Sequence, residues 1–175
     1  MSPAESEALA LSLSVAARSV AFNLPLAILV GYGRVGGAIG HVLNAQGLPF
    51  VVIERDHLML ASAQANGIPT IVGDAATPGV LTAAGIERAR LVVVATPDSY
   101  QARRIVQIVH QLKHGIDIVV RTHSATEMEA LQALQVGRVV MGERELANGM
   151  LETVCDMGSF TCSLVNNSEA HLNAS

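Results

Sequence analysis

Between residues 26 and 153 the chain alternates short apolar runs of strand length with longer segments whose apolar positions recur at helical spacing. Residues 26–30, 49–53, 70–72, 91–95, 117–120 and 138–141 are rich in Val, Ile and Leu, and several are bounded by Gly or Pro, which predicts six strands. The run LVVVA at 91–95 is apolar throughout and predicts a central strand covered on both sides. Over 35–46 the spacing predicts a helix with Val35, Ile39, Val42 and Leu43 on one face and Gly47 as its stop. Asp56 can cap a second helix to residue 65, with Leu58, Met59 and Ala63 facing in. Pro78 opens a brief helix to residue 84, and Thr96, Pro97 and Asp98 open a long one to His114, stopped by Gly115. Its last turns place His110, Lys113 and His114 at the negative end of the helix dipole. Two more helices follow over 125–135 and 143–153. Strict alternation of this kind predicts a parallel sheet of about six strands with right-handed crossovers.

Composition agrees with that layout. Half of the 175 residues are apolar but only 3% are aromatic, so the core must be built from Val, Ile, Leu and Ala. The length allows one sizeable core and is too short for a nucleotide domain joined to a full substrate domain. A mean hydropathy of +0.41 is high for a soluble monomer and points to apolar surface covered by a partner. The formal net charge of -4 argues against a nucleic-acid binder, and Arg103, Arg104 and Lys113 form at most a modest basic face. Cys155 and Cys162 have no metal partners at useful spacing; they predict no disulfide framework and fit a reducing compartment. Residues 1–23 carry Glu5 and Glu7 before an apolar stretch that Arg18 interrupts, so they read as a linker or marginal helix, not a signal peptide or membrane span.

The candidate chemistry lies where the strands end. Gly31, Gly33 and Gly36 stand in G-x-G-x-x-G spacing, after a predicted strand and before a predicted helix. That context suits a phosphate: a sharp turn at Gly31, close backbone approach at Gly33, tight helix packing at Gly36, and unpaired N–H groups at the helix start. Glu54 follows about 20 residues on, at the end of the second strand, where a carboxylate accepts both ribose hydroxyls. Its charge disfavours a 2′-phosphate, so NAD, AMP or another unphosphorylated adenosine is favoured over NADP.

These features predict an α/β fold, a Rossmann-like doubly wound parallel sheet of about six strands with helices on both faces. Its ligand would lie beyond the carboxyl strand ends, at 31–36, 54–56, 73–75, 96–98 and Arg121. Some of these residues have two readings. Arg55 could pair with a phosphate or stay a solvated charge; Asp74 could accept from an adenine amino group or make a turn. Arg121 could clamp a phosphate or pair with Glu143 or Glu145.

Catalytic machinery is harder to find. Hydride transfer needs an acid or base held near the nicotinamide. Tyr32 and His57 fall beside the nucleotide, His123 has no evident partner, and His110 and His114 are better explained by the helix end than by a metal. The rival to a binding module is a small NAD-dependent oxidoreductase, and a third reading is a scaffold that has lost its ligand.

Residues 24–154, about three quarters of the chain, resemble the KTN/RCK (TrkA-N type) nucleotide-binding regulatory domain. The resemblance is carried by VGYGRVG at 30–36, VVIERD at 51–56, GDAATPGVLTAAGIERA at 73–89 and VVVATPD at 92–98. The run VVMGERELANGMLE at 139–152 is similar to the branch found at the C-terminus of Kef-type cation:proton antiporters. The resemblance implies a non-enzymatic module that senses AMP, ATP or NAD(H) and pairs with a second copy as a homodimer. It further implies that the bound state passes to the membrane transport domain of a cation antiporter or potassium transporter, at the cytoplasmic face of the inner membrane. The nucleotide contacts it implies fall on Gly31, Tyr32, Gly33, Arg34, Val35, Gly36, Glu54, Asp74, Ala75, Thr96 and Arg121; Arg55 and Gly73 flank them. No transport domain is present, so a separately made piece or a free-standing regulator is expected. Residues 155–175 have no counterpart and are expected to form a flexible tail.

Overall fold

A computed structural model describes residues 26–157, so the expectations for residues 1–23 and for the end of the chain lie outside the described residues. Strand and helix alternate as β1 (Leu26–Val30), α1 (Arg34–Ala45), β2 (Phe50–Glu54), α2 (His57–Ala65), β3 (Thr70–Val72), α3 (Pro78–Ala83), β4 (Ala89–Val94), α4 (Ser99–Leu112), β5 (Asp117–Thr122), α5 (Ala125–Gln132), β6 (Arg138–Met141) and α6 (Gly142–Met157). The strands form one parallel sheet in the order β3-β2-β1-β4-β5-β6. Strand order reverses at β1, whose Val30 lies beside Ile53 of β2 and Val94 of β4. At such a point the loops after neighbouring strands part and leave a crevice beyond their carboxyl ends.

Side chains alternate across the sheet and divide the core in two. Ile28, Val30, Ile53, Val92 and Val94 pack against Leu81 of α3, Ile105 and Val109 of α4, and Leu131 of α5. Leu29, Phe50 and Val52 face the other way, onto Ala63 of α2 and the half-buried Ile39 and Leu43 of α1. This two-sided burial is why residues 26–30, 50–53 and 91–94 are apolar without a break.

Three local expectations are corrected. On α1, Val35 and Val42 are exposed, and the buried positions are Gly36 and Gly40. A Cβ at position 36 would overlap the Gly31 carbonyl oxygen and one at position 40 would press into the Tyr32 ring, so no larger residue fits at either. On α2, Leu58 and Met59 point outward while Leu60 and Ala63 are buried, a shift of the inner face that the local spacing left ambiguous. Helix α4 ends at Leu112, and Lys113 instead donates to the carbonyls of Glu87 and Ala89 at 2.9 and 2.6 Å. It ties the approach to β4 rather than its own helix end.

At the end of the described residues, α6 runs through Met157, past the expected limit at 153, and Cys155 is disulfide-bonded, contrary to the expectation of no disulfide framework. None of the side chains of α6 is buried; Leu146, Met150, Leu151, Val154 and Met157 are all exposed. Beside its first turn, an apolar groove of about 390 Å³ is bounded by Val35, Ile39, Val93, Val119, Val140 and Leu146. Among the described residues, no helix is long and apolar enough to cross a membrane.

Candidate functional site

The site begins with how β1 becomes α1. Gly31 turns the chain at φ +89°, a conformation open to glycine, and its N–H donates to the Ile53 carbonyl at 2.9 Å. Helix α1 then starts hard against that turn: a Cβ at position 36 would overlap the Gly31 carbonyl oxygen. Between them Gly33 is different, because a Cβ there would meet nothing within 4 Å. Asp56, Asp98 and Ser124 cap the starts of α2, α4 and α5 through side-chain oxygens, whereas Gly33 supplies no such bond to α1. The first-turn amides of α1 thus keep their hydrogen-bonding capacity, and the helix dipole adds partial positive charge.

Opposite that helix start, Glu54 closes β2. Its Oε2 accepts from the Tyr32 N–H at 2.7 Å, and its Oε1 accepts from the N–H groups of Arg55 at 2.6 Å and Asp56 at 3.0 Å. Three amides therefore fix the carboxylate before any ligand arrives. Of the roughly four acceptor positions on a carboxylate, one remains, on Oε2. In this arrangement Glu54 can take one ribose hydroxyl directly, and a second would have to compete with an amide.

A crevice of about 590 Å³ joins these pieces. Of the residues expected from sequence, it gathers Gly31, Gly33, Arg34, Val35, Glu54, Arg55, Gly73, Ala75, Thr96 and Arg121. Tyr32, Gly36 and Asp74 do not line it. The Tyr32 side chain is 7% exposed, packed beneath α1 where a Cβ at Gly40 would come within 2.6 Å of Cε2, and burial raises its hydroxyl pKa. Its role is the backbone bond to Glu54. Gly36 lies under the turn.

Asp74 makes a turn: its Oδ1 accepts from Ala76 N at 2.8 Å and from Gln101 Nε2 at 3.0 Å. The Ala76 amide, first, and then Gln101, Arg55 and Arg104 hold its carboxyl below the usual range against the opposing effect of burial.

Arg121 faces the crevice from β5, and among the described residues no ion pair joins it to Glu143 or Glu145. The pairing falls to His123, whose Nδ1 lies 3.0 Å from Glu143 Oε1 at the start of α6. That bond, with lesser help from the Arg121 charge, keeps the Glu143 carboxyl below its ordinary pKa.

Sequence reasoning passed over Gln101 and weighed Met59 and His123 only as a core residue and a catalytic candidate; all three line the crevice. The signals were positional. Gln101 follows the Asp98 cap by three residues, and His123 follows Arg121 by two, placing both at the carboxyl edge of the sheet.

Comparison with known proteins agrees with this fold. The model of the TrkA-N domain matches residues 27–142. The chain is 36% identical over 126 residues to the “Putative cation/proton antiporter YbaL” of Escherichia coli (strain K12), a match spanning 72% of this chain but 23% of that protein. The chain thus corresponds to about a quarter of that relative's length. Among solved structures, the TrkA-N domain of inner membrane protein ybaL from E. coli superposes with a TM-score of 0.71 at 34% identity, over 75% of this chain and 97% of that one. The Shewanella denitrificans Kef CTD in its AMP-bound form gives 0.63 at 26% identity, over 76% and 81%.

Proposed function

This chain belongs to the TrkA-N domain family, and from that premise we propose that it is a regulatory domain that binds an adenine nucleotide and controls cation transport across a membrane. The observation that carries the reading is the Glu54 carboxylate, fixed by three backbone amides across from an uncapped helix start. One end of the crevice suits a sugar hydroxyl and the other a phosphate. AMP and NAD(H) are the favoured ligands, with ATP a further candidate; the AMP-bound state of the Kef relative supports the first. The site binds and reports, with no chemistry of its own.

The transport partner is proposed from the relatives' names: this chain would be, or would associate with, the regulatory part of a cation:proton antiporter or potassium transporter at the cytoplasmic face of the inner membrane. The exposed apolar residues of α6 and the adjoining groove support pairing with a second copy. A nucleotide with different affinity for two arrangements of that dimer would shift a gating equilibrium; one bound equally by both would shift nothing.

The test is calorimetric titration of the 175-residue chain with AMP, ATP, NADH and NADPH, alongside its melting temperature. AMP or NADH at about one hundred times its Kd is expected to stabilise the fold by about 2.7 kcal/mol. Glu54→Ala is expected to weaken both by about tenfold or more, the cost of a hydrogen bond to a charged group. If no adenine nucleotide binds or raises the melting temperature, the reading fails.

A further inference from the structure

Gln101 sits on α4, yet its amide reaches across the crevice wall to the loop after β3. Nε2 donates to Asp74 Oδ1 at 3.0 Å, and Oε1 accepts from Thr96 Oγ1 at 3.1 Å. This leaves the amide one orientation. An ionised carboxylate only accepts, so it must face the NH₂ end, and reversing the amide would set a carbonyl against it. The Ala76 amide and the arginine charges that keep the Asp74 carboxyl ionised reinforce that polarity. One N–H and one carbonyl lone pair of Gln101 are then left over, on a residue that lines the crevice.

Resting on the nucleotide reading above, we propose that Gln101 reads the base and selects adenine over guanine. With the phosphate at Gly33 and the sugar at Glu54, the base continues along the wall formed by Gly73, Ala75 and Gln101. A side-chain amide pairs with adenine because adenine offers an acceptor ring nitrogen beside the donor N6. Guanine offers two acceptors on one edge, or the donor and acceptor in reversed order on the other. Because Asp74 and Thr96 lock the amide, it cannot turn to suit guanine. Asp74, read from sequence either as an acceptor for an adenine amino group or as a turn residue, then acts on the base through the side chain it orients.

The experiment titrates the full chain with AMP, GMP and IMP. The wild-type chain is expected to bind AMP at least about tenfold more tightly than GMP or IMP. Gln101→Met keeps the side-chain length, removes both polar atoms, and is expected to bring AMP down to the GMP level. GMP itself should change less than about threefold. Equal affinity of the wild-type chain for AMP and GMP overturns the proposal without any variant, as does a Gln101→Met chain that keeps the AMP preference. Either result leaves the nucleotide reading standing if AMP binding still depends on Glu54; loss of that dependence sinks the underlying reading instead.

Discussion

The Tyr32 N–H donates to Glu54 Oε2 at 2.7 Å while the Tyr32 ring lies buried beneath α1. The loop residue between two of the glycines therefore acts through its backbone. Its ring anchors the loop, and the anchored loop aims the carboxylate. Tyr32→Phe keeps both the ring and the amide, so AMP affinity is expected to stay within about twofold of the wild type. Gly40→Ala drives a methyl into the ring and is expected to cost about 1–3 kcal/mol of stability in urea unfolding. A large loss of AMP binding in Tyr32→Phe would show that the hydroxyl, not the backbone, matters.

Gly33 and Gly36 separate binding from folding. Position 33 has φ -71° and open space around it, so Gly33→Ala is expected to change stability by less than about 1 kcal/mol. The methyl would occupy the approach to the α1 amides, and AMP affinity is expected to fall about tenfold or more through lost charge-assisted hydrogen bonds. Gly36→Ala puts its methyl onto the Gly31 carbonyl and is expected to destabilise by about 3 kcal/mol or leave the chain unfolded. Urea unfolding and calorimetry on the same two variants check both halves; equal behaviour of the two would contradict the assignment.

The depressed pKa of Asp74 makes a pH signature. A carboxyl with a folded-state pKa below its ordinary 3.8 stabilises the fold fully above that value and loses the contribution as pH falls through the folded pKa. The difference in melting temperature between the wild type and Asp74→Asn is expected to be flat from about pH 7 to 5 and to shrink below about pH 4. A difference that stays constant down to about pH 3 would mean that the Ala76 and Gln101 bonds do not favour the charged form.

Much of the fold follows from local rules. The six strands lie within a residue or two of their expected positions because buried parallel strands write themselves as continuous Val, Ile and Leu runs. The caps at Asp56 and Asp98 are legible because their carboxylates bond to amides two or three residues along. Helix faces were less legible. On α1 the close contacts, to the Gly31 turn and the Tyr32 ring, are made by Gly36 and Gly40, residues with no hydropathy signal, while Val42 faces outward.

The sequence by itself determined the parallel α/β arrangement, the glycine turn and the strand end that carries Glu54, since each follows from the local pattern of residues along the chain. Only the tertiary structure decided that Tyr32 and Asp74 support the crevice without lining it, that Glu143 pairs with His123 and not with Arg121, and that Gln101 reaches the loop after β3. Those outcomes depend on side-chain contacts between segments far apart in the chain, and Gln101 and Asp74 are separated by 27 positions. Spacing along a sequence fixes which strand end a residue occupies; the direction of its polar atoms is set by whichever donors and acceptors packing brings alongside.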